Sequence, residues 1–207
     1  MKLKMILIDA GHGGILNGIY QTLGKRSPIW DDGSQYYEGV GNRMIRHELS
    51  KYLELLRGAG IRYEYVNKGQ RDMPLYLRVR YINSIARKYR YDEVLLISIH
   101  SNGYKDKKAH GWSCYTTPGD TMSDKYAEVL YEKMEEQFPE ERMRTDYSDG
   151  DKDKEAYFKL LKSTICPAIL SENFFHTNEH ECRDILMCRQ GRSKIALAHF
   201  NMIKEFI

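Results

Sequence analysis

Three side chains able to bind a metal or move a proton stand directly after short apolar runs: His12 after MILID (5–9), His100 after VLLISI (94–99) and Glu172 after PAILS (167–171). Apolar runs of this length, ended by glycine or polar residues, read as strands buried on both faces of a parallel sheet. Ligands of open α/β sheets bind in the crevice beyond the carboxyl ends of the strands. The three side chains are therefore expected at one sheet edge. Two imidazoles and a carboxylate suit Zn²⁺, which takes nitrogen and oxygen ligands and in hydrolases keeps one position open. Each residue also has an ordinary alternative. A single histidine after a strand is commonly a hydrogen-bonded surface residue, and a carboxylate there commonly caps a loop or pairs with arginine. Two histidines at equivalent strand ends make coincidence a weaker explanation.

The other histidines fit a metal less well. His47 falls opposite the apolar face of its helix, and His199 falls on an apolar face as a satisfied core residue. His176 and His180 bracket Glu179 in HTNEH with i, i+4 spacing, but the pattern is not HExxH. His110, before Gly111 at a strand start, is a candidate substrate contact.

The elements that must position these residues follow from periodicity. Ile45, Leu49, Tyr52, Leu53 and Leu56 recur at helical spacing over 42–56, and Gly58 and Gly60 supply the stop. IRYEYV (61–66) reads as a second strand. A helix then begins near Asp72 and Pro74, with Leu75, Val79, Ile82, Ala86 and Tyr89 inward. After the strand at 94–99 come a strand at 112–117, a helix at about 124–137, the strand at 167–171 and a closing helix with Ile195, Ala198, Met202 and Phe206 on one face. This alternation predicts an α/β three-layer sandwich, with a mainly parallel sheet of roughly six strands flanked by helices.

At 207 residues, residues 1–207 read as a single catalytic domain, with a charged insert near 138–162 that includes DYSDGDKDKEAYFKLL. The hydrophobic fraction of 42% excludes a disordered chain. Net charge is +3, with basic and acidic residues interspersed, which argues against nucleic acid as a partner. Cys114, Cys166, Cys182 and Cys188 show no C-x-x-C spacing, so they are expected to be reduced thiols, mostly buried. No apolar run approaches the roughly 20 residues of a membrane helix. Residues 1–10 lack a signal-peptide core and cleavage site.

Taken together, the motifs resemble the zinc-dependent N-acetylmuramoyl-L-alanine amidases of the Amidase_3 type. The similarity runs from Leu7 into the C-terminal helix. It is carried by Asp9-Ala10-Gly11-His12-Gly13-Gly14, by Glu38 and Asn42 in EGVGN, and by Arg78-Val79 with Asn83. Ser98-Ile99-His100-Ser101-Asn102 and Glu172-Asn173-Phe174-Phe175-His176-Thr177-Asn178 complete it. The resemblance implies Zn²⁺ held by His12, Glu38 and His100, and Glu172 as catalytic acid and base. Residues alone leave Glu38 and Glu48 both open. Phasing puts Glu48 within a continuous helix and Glu38 in a preceding loop, and the resemblance selects Glu38. Asn102, Asn173 and Arg78 lie in these motifs and join His110 as candidate substrate contacts.

The implied reaction is hydrolysis of the amide between N-acetylmuramic acid and L-alanine in bacterial peptidoglycan, by a zinc-activated water. The expected partner is the wall polymer and the expected state a monomer. Action on the wall is periplasmic or extracellular, and a phage lysin of this kind would wait in the host cytoplasm. The alternatives are another zinc peptidoglycan hydrolase, either a carboxypeptidase or a deacetylase, and a catalytically silent wall-binding domain.

Overall fold

A computed structural model describes residues 2–207. The chain forms β1 (Met5–Ala10), a small hairpin of β2 (Ile15–Leu16) and β3 (Ile19–Tyr20), α1 (Glu38–Glu54), β4 (Arg62–Tyr65), α2 (Leu75–Ala86) and β5 (Val94–Asn102). It continues through β6 (Ser113–Thr116), α3 (Met122–Gln137), β7 (Lys154–Glu155), α4 (Lys159–Ser163), β8 (Ala168–Phe175) and α5 (Arg189–Lys204). One six-stranded sheet has the order β4-β1-β5-β8-β6-β7. The first four strands run parallel, and β6 turns antiparallel to β8.

Alternation along the buried strands builds two cores. Ile6, Ile8, Ile97, Ile99 and Ile169 pack against Ile45 and Leu49 of α1, Leu130 of α3, and Ile195 and Met202 of α5. Leu7, Leu96 and Leu170 face the other way, onto Ile82 and Ile85 of α2 and Leu160 and Leu161 of α4. Successive strand residues point to opposite faces, so strands between two helical layers must be apolar on both sides. That is the three-layer α/β sandwich expected from the sequence. Each fully buried aliphatic side chain contributes about 1.5–3 kcal/mol.

Two boundaries differ from expectation, and both concern chemistry. His100 and Glu172 lie inside β5 and β8, because pairing continues past the apolar runs: His100 stands opposite Glu172 in parallel register. Glu38 is the first residue of α1 and does not precede it in a loop. The glycines of EGVGN disguise this helix start. Gly39 packs against the Gly13 carbonyl, where a Cβ would collide with it, so a poor helix former is required by close approach. The Glu38 carboxylate also suits the positive end of the helix dipole.

A β-bulge interrupts β8 between Glu172 and Phe175, where three steps along β8 match two along β5. Phe174 takes a left-handed φ of 62° there. Bulges of this kind re-aim side chains next to functional sites. The region 138–162 is charged and irregular, but it delivers β7 to the sheet edge and α4 to the second core.

In α5, His199 is fully buried. Its Nδ1–H donates to the Ile195 carbonyl at 2.8 Å, and its Nε2 lies 3.1 Å from the Ser171 hydroxyl. Burial pushes its pKa down to about 4, whereas an unfolded histidine titrates near 6.5. The folded state thus binds fewer protons between those values. The stabilisation is complete above about pH 6.5 and is lost as pH falls toward 4. Urea unfolding at pH 7 and pH 4.5, compared between wild type and His199→Gln, should show an acid-induced loss larger in the wild type by about 2–3 kcal/mol. Equal losses would mean that His199 is not buried neutral.

Candidate metal centre

β1, α1 and β5 bring His12, Glu38 and His100 together at the carboxyl end of the sheet. One potential ligand atom from each lies within 4.8 Å of the others. Glu38 Oε1 is 3.3 Å from His12 Nε2 and 3.2 Å from His100 Nδ1. The two rings stand edge to face, with centroids 5.0 Å apart. Glu38 is almost wholly buried, while the imidazoles keep 19% and 16% of their surface exposed, so the cluster opens on the histidine side.

The local backbone is shaped for this convergence. His12 has a φ of 65°, which is costly for a residue bearing a Cβ and marks a conformation held by its surroundings. Gly11 lies against the His100 ring, where any Cβ would collide. The Arg43 guanidinium, also buried, donates to the carbonyls of His12 at 2.9 Å, Gly39 at 2.7 Å and Gly69 at 3.1 Å. It ties the His12 loop to the first turn of α1. Asn42 donates to the Gly11 carbonyl, and Asn67 bonds both the N–H and the carbonyl of Ala10.

A second polar chain fixes the same loop from below. Asp9, fully buried, accepts from Arg78 at 3.1 Å and from Ser98 at 3.0 Å. Arg78 also reaches Asp72 at 3.0 Å, Asp72 accepts from Thr22, and Thr22 accepts the Gly13 N–H at 2.8 Å. On β8, Asn173 donates to the His100 carbonyl at 2.9 Å and accepts from Trp112 Nε1 at 2.9 Å. The candidate substrate contacts Arg78 and Asn173 thus carry internal bonds of their own. Both are buried and committed to holding the residues beside them. Their polar character in apolar surroundings was visible in sequence, but their partners are distant in the chain.

Electrostatics separates the two carboxylates. Burial alone would raise the Glu38 pKa, yet the contacts from His100 and His12 hold it well below the usual range. Burial also opposes a charge on His100, and the contact with Glu38 together with the charges of Glu172 and Asp9 outweighs it to raise the imidazole pKa. Burial pushes Glu172 up to about 7, with His100 opposing the shift and Glu38 adding to it. Glu38 Oε2 and Glu172 Oε2 are both shut off from solvent with no hydrogen-bond partner. Two imidazole nitrogens, a carboxylate with an orphaned oxygen and one open side fit a tetrahedral zinc site with a free fourth position.

The Amidase_3 family, described as N-acetylmuramoyl-L-alanine amidase, matches residues 6–205. The chain belongs to this family. Among curated relatives, the amidase AmiA of Salmonella typhimurium is 26% identical across 98% of this chain and 76% of its own length. AmiA of Escherichia coli is 25% identical across 94% and 73%. Among solved structures, an N-acetylmuramoyl-L-alanine amidase from Clostridium difficile superposes with a TM-score of 0.75 at 20% identity, covering 100% of this chain and 97% of that one. The catalytic domain of the amidase CwlV from Bacillus (Paenibacillus) polymyxa gives 0.71 at 18% identity, over 99% and 98%. These structural likenesses establish a shared fold.

The remaining histidines of this family member lie outside the cluster. His176 is buried, stacked 6.2 Å from Tyr36, with Nδ1 facing the Ser101 carbonyl at 3.2 Å. His180 pairs with Glu141 and Asp184, and His47 is exposed. His110 is exposed, with Nδ1 against the Lys108 carbonyl. Asn102 closes β5 beside the cluster and accepts from the Gly103 N–H. Next to it, a concavity of about 600 Å³ is lined by Lys25, Arg26, Tyr104, Lys105 and His176. Nothing in the residue pattern marks Arg43 or Asn67 as supports, because each acts through backbone groups brought near by folding.

All four cysteines are free, and three are buried. Arg43→Met should lower zinc affinity about 10–100-fold, the usual cost of removing a group that orients metal ligands, while leaving far-UV circular dichroism unchanged. Unaltered zinc affinity in a competition titration would remove Arg43 from the account of the site.

Proposed function

We propose that this chain hydrolyses the amide joining the lactyl group of N-acetylmuramic acid to the L-alanine of the stem peptide, with zinc held by His12, Glu38 and His100. Family membership over 6–205 supports the bond and the substrate. The observation that carries the site is the convergence of two imidazoles and one carboxylate within 4.8 Å, with the Glu172 carboxyl on the strand paired beside His100. Residues 1–207 are read as one catalytic unit, acting as a monomer.

Bound between these donors, zinc would supply Lewis acidity toward the amide carbonyl and the attacking water. The proton work falls to Glu172. A carboxyl with a pKa of about 7 can hold or release a proton near neutral pH, the condition for a group that must do both. Its carboxylate accepts the proton of the attacking water. The same carboxyl, now protonated, then donates to the departing nitrogen of L-alanine, without which the amine would be an impossibly poor leaving group. Glu38, held well below the usual carboxylate range, stays ionised throughout and serves as an anionic ligand. The concavity lined by Lys25, Tyr104 and Lys105 offers space for the stem peptide or glycan beside the cluster. No helix among the described residues is long and apolar enough to cross a membrane, and action on the wall is consistent with that.

Glu172→Gln should retain one zinc per chain and lose about 10²–10⁴-fold in rate on purified peptidoglycan. Wild-type rate in that variant would reassign the acid and base. Chelation should abolish activity and zinc should restore it. Mass analysis of the digest should show free glycan strands and intact stem peptides. Release of terminal D-alanine would indicate a carboxypeptidase, release of acetate a deacetylase, and no release at all a silent binding domain.

A further inference from the structure

Away from the metal centre, the least satisfied polar groups lie in the charged segment between α3 and α4. Asp153 is 2% exposed. Its Oδ2 accepts from the Thr116 hydroxyl at 2.7 Å, while its Oδ1 is buried and has no partner. The Asp151 carboxyl stands against that of Asp153, and its Oδ1 is likewise buried without a donor. Among the described residues no lysine or arginine pairs with either; the nearby Lys152 ammonium extends instead to Glu128 at 3.1 Å. Glu128 has a buried, unpartnered Oε2 of its own. With Asp124, Tyr147, Gly150 and Asp151 it lines a concavity of about 420 Å³ open to solvent.

Asp153 is buried and Asp151 half-buried, and two carboxyls placed against one another repel when both are ionised unless something positive lies between them. A proton or a cation can fill that role. Burial, with the Asp151 charge adding to it, pushes Asp153 up to about 7 in the absence of any ion, so near neutral pH the pair is ready to exchange its proton for a metal. The available donors are all hard oxygens, the set preferred by calcium and magnesium and poorly suited to zinc, which the imidazoles at the other site would take. Asp149, Asp151 and Asp153 alternate around Gly150, whose φ of 113° makes the turn.

We propose that Asp151 and Asp153 hold a divalent, oxygen-seeking cation, calcium foremost, which fastens the 146–155 segment to β6 through Thr116. The carboxylates supply two ligands, and water and main-chain oxygens complete the shell. A site with so few charged ligands binds weakly, with Kd about 10⁻⁴–10⁻³ M, in the range of extracellular calcium modules. The inference is independent of the amide-cleaving reaction.

Calcium chloride titrated by calorimetry into zinc-loaded full-length chain in calcium-free buffer tests it. One site in that affinity range is expected, together with a higher Tm. Both effects should vanish in Asp153→Asn and Asp151→Asn while zinc content stays unchanged. No heat and no Tm shift at about ten times the expected Kd would overturn the proposal. So would calcium binding undiminished in both variants. An Asp153→Asn chain more stable than wild type at pH 8, with no calcium response in either, would assign the pair a shared proton and overturn it equally.

Discussion

The Glu38 carboxylate is the constraint on which the rest of the site depends. An ionised carboxylate removed from water is costly unless charges and donors surround it. Glu38 has His12 and His100 at 3.3 and 3.2 Å and the Ser101 N–H at 3.3 Å, all on Oε1. Oε2 has nothing. This arrangement is underpaired for a bare protein and well suited to one that holds a cation. To assemble it, the end of β1, the first turn of α1 and the end of β5 must meet within a few ångströms. Gly11 against His100 and Gly39 against Gly13 make that approach possible, and Arg43 fixes it by bonding three carbonyls at once.

Two carboxylates near one another then acquire opposite pKa shifts from their surroundings. Glu38 is held ionised by the imidazoles. Glu172, half-buried on the neighbouring strand without such partners, is pushed up to about 7 by desolvation. Environments that drive two pKa values apart separate a permanent anion from a proton carrier. The bulge in β8 immediately after Glu172, with Asn173 bonded to the His100 carbonyl, fixes Glu172 relative to His100. Behind Asn173 the chain of bonds runs through Ser171 to His199 in the helical layer. The site is thereby braced against both the sheet and α5.

Much of this was legible in the sequence where a property is local. The runs MILID and VLLISI are apolar because both faces of their strands are covered, and that requirement alone places His12 and His100 at one edge. EGVGN was misread as a loop. Its glycines serve a contact with Gly13, and helix propensity cannot anticipate a neighbour 26 positions away. The internal bonds of Arg78 and Asn173 are hidden from the sequence for the same reason. A polar residue in a motif looks available until its buried partners, Asp9 and Trp112, are in view. Glu38 itself needed the family resemblance, since spacing permitted Glu48 as well.

Zinc-edge anomalous diffraction from crystals of the zinc-loaded protein tests the central claim most directly. The account predicts one strong peak bounded by His12, Glu38 and His100, with ligand distances of about 2.0–2.2 Å and the fourth position facing solvent beside Glu172. A principal zinc peak at His176 or His180, or one lacking Glu38 among its ligands, would contradict it.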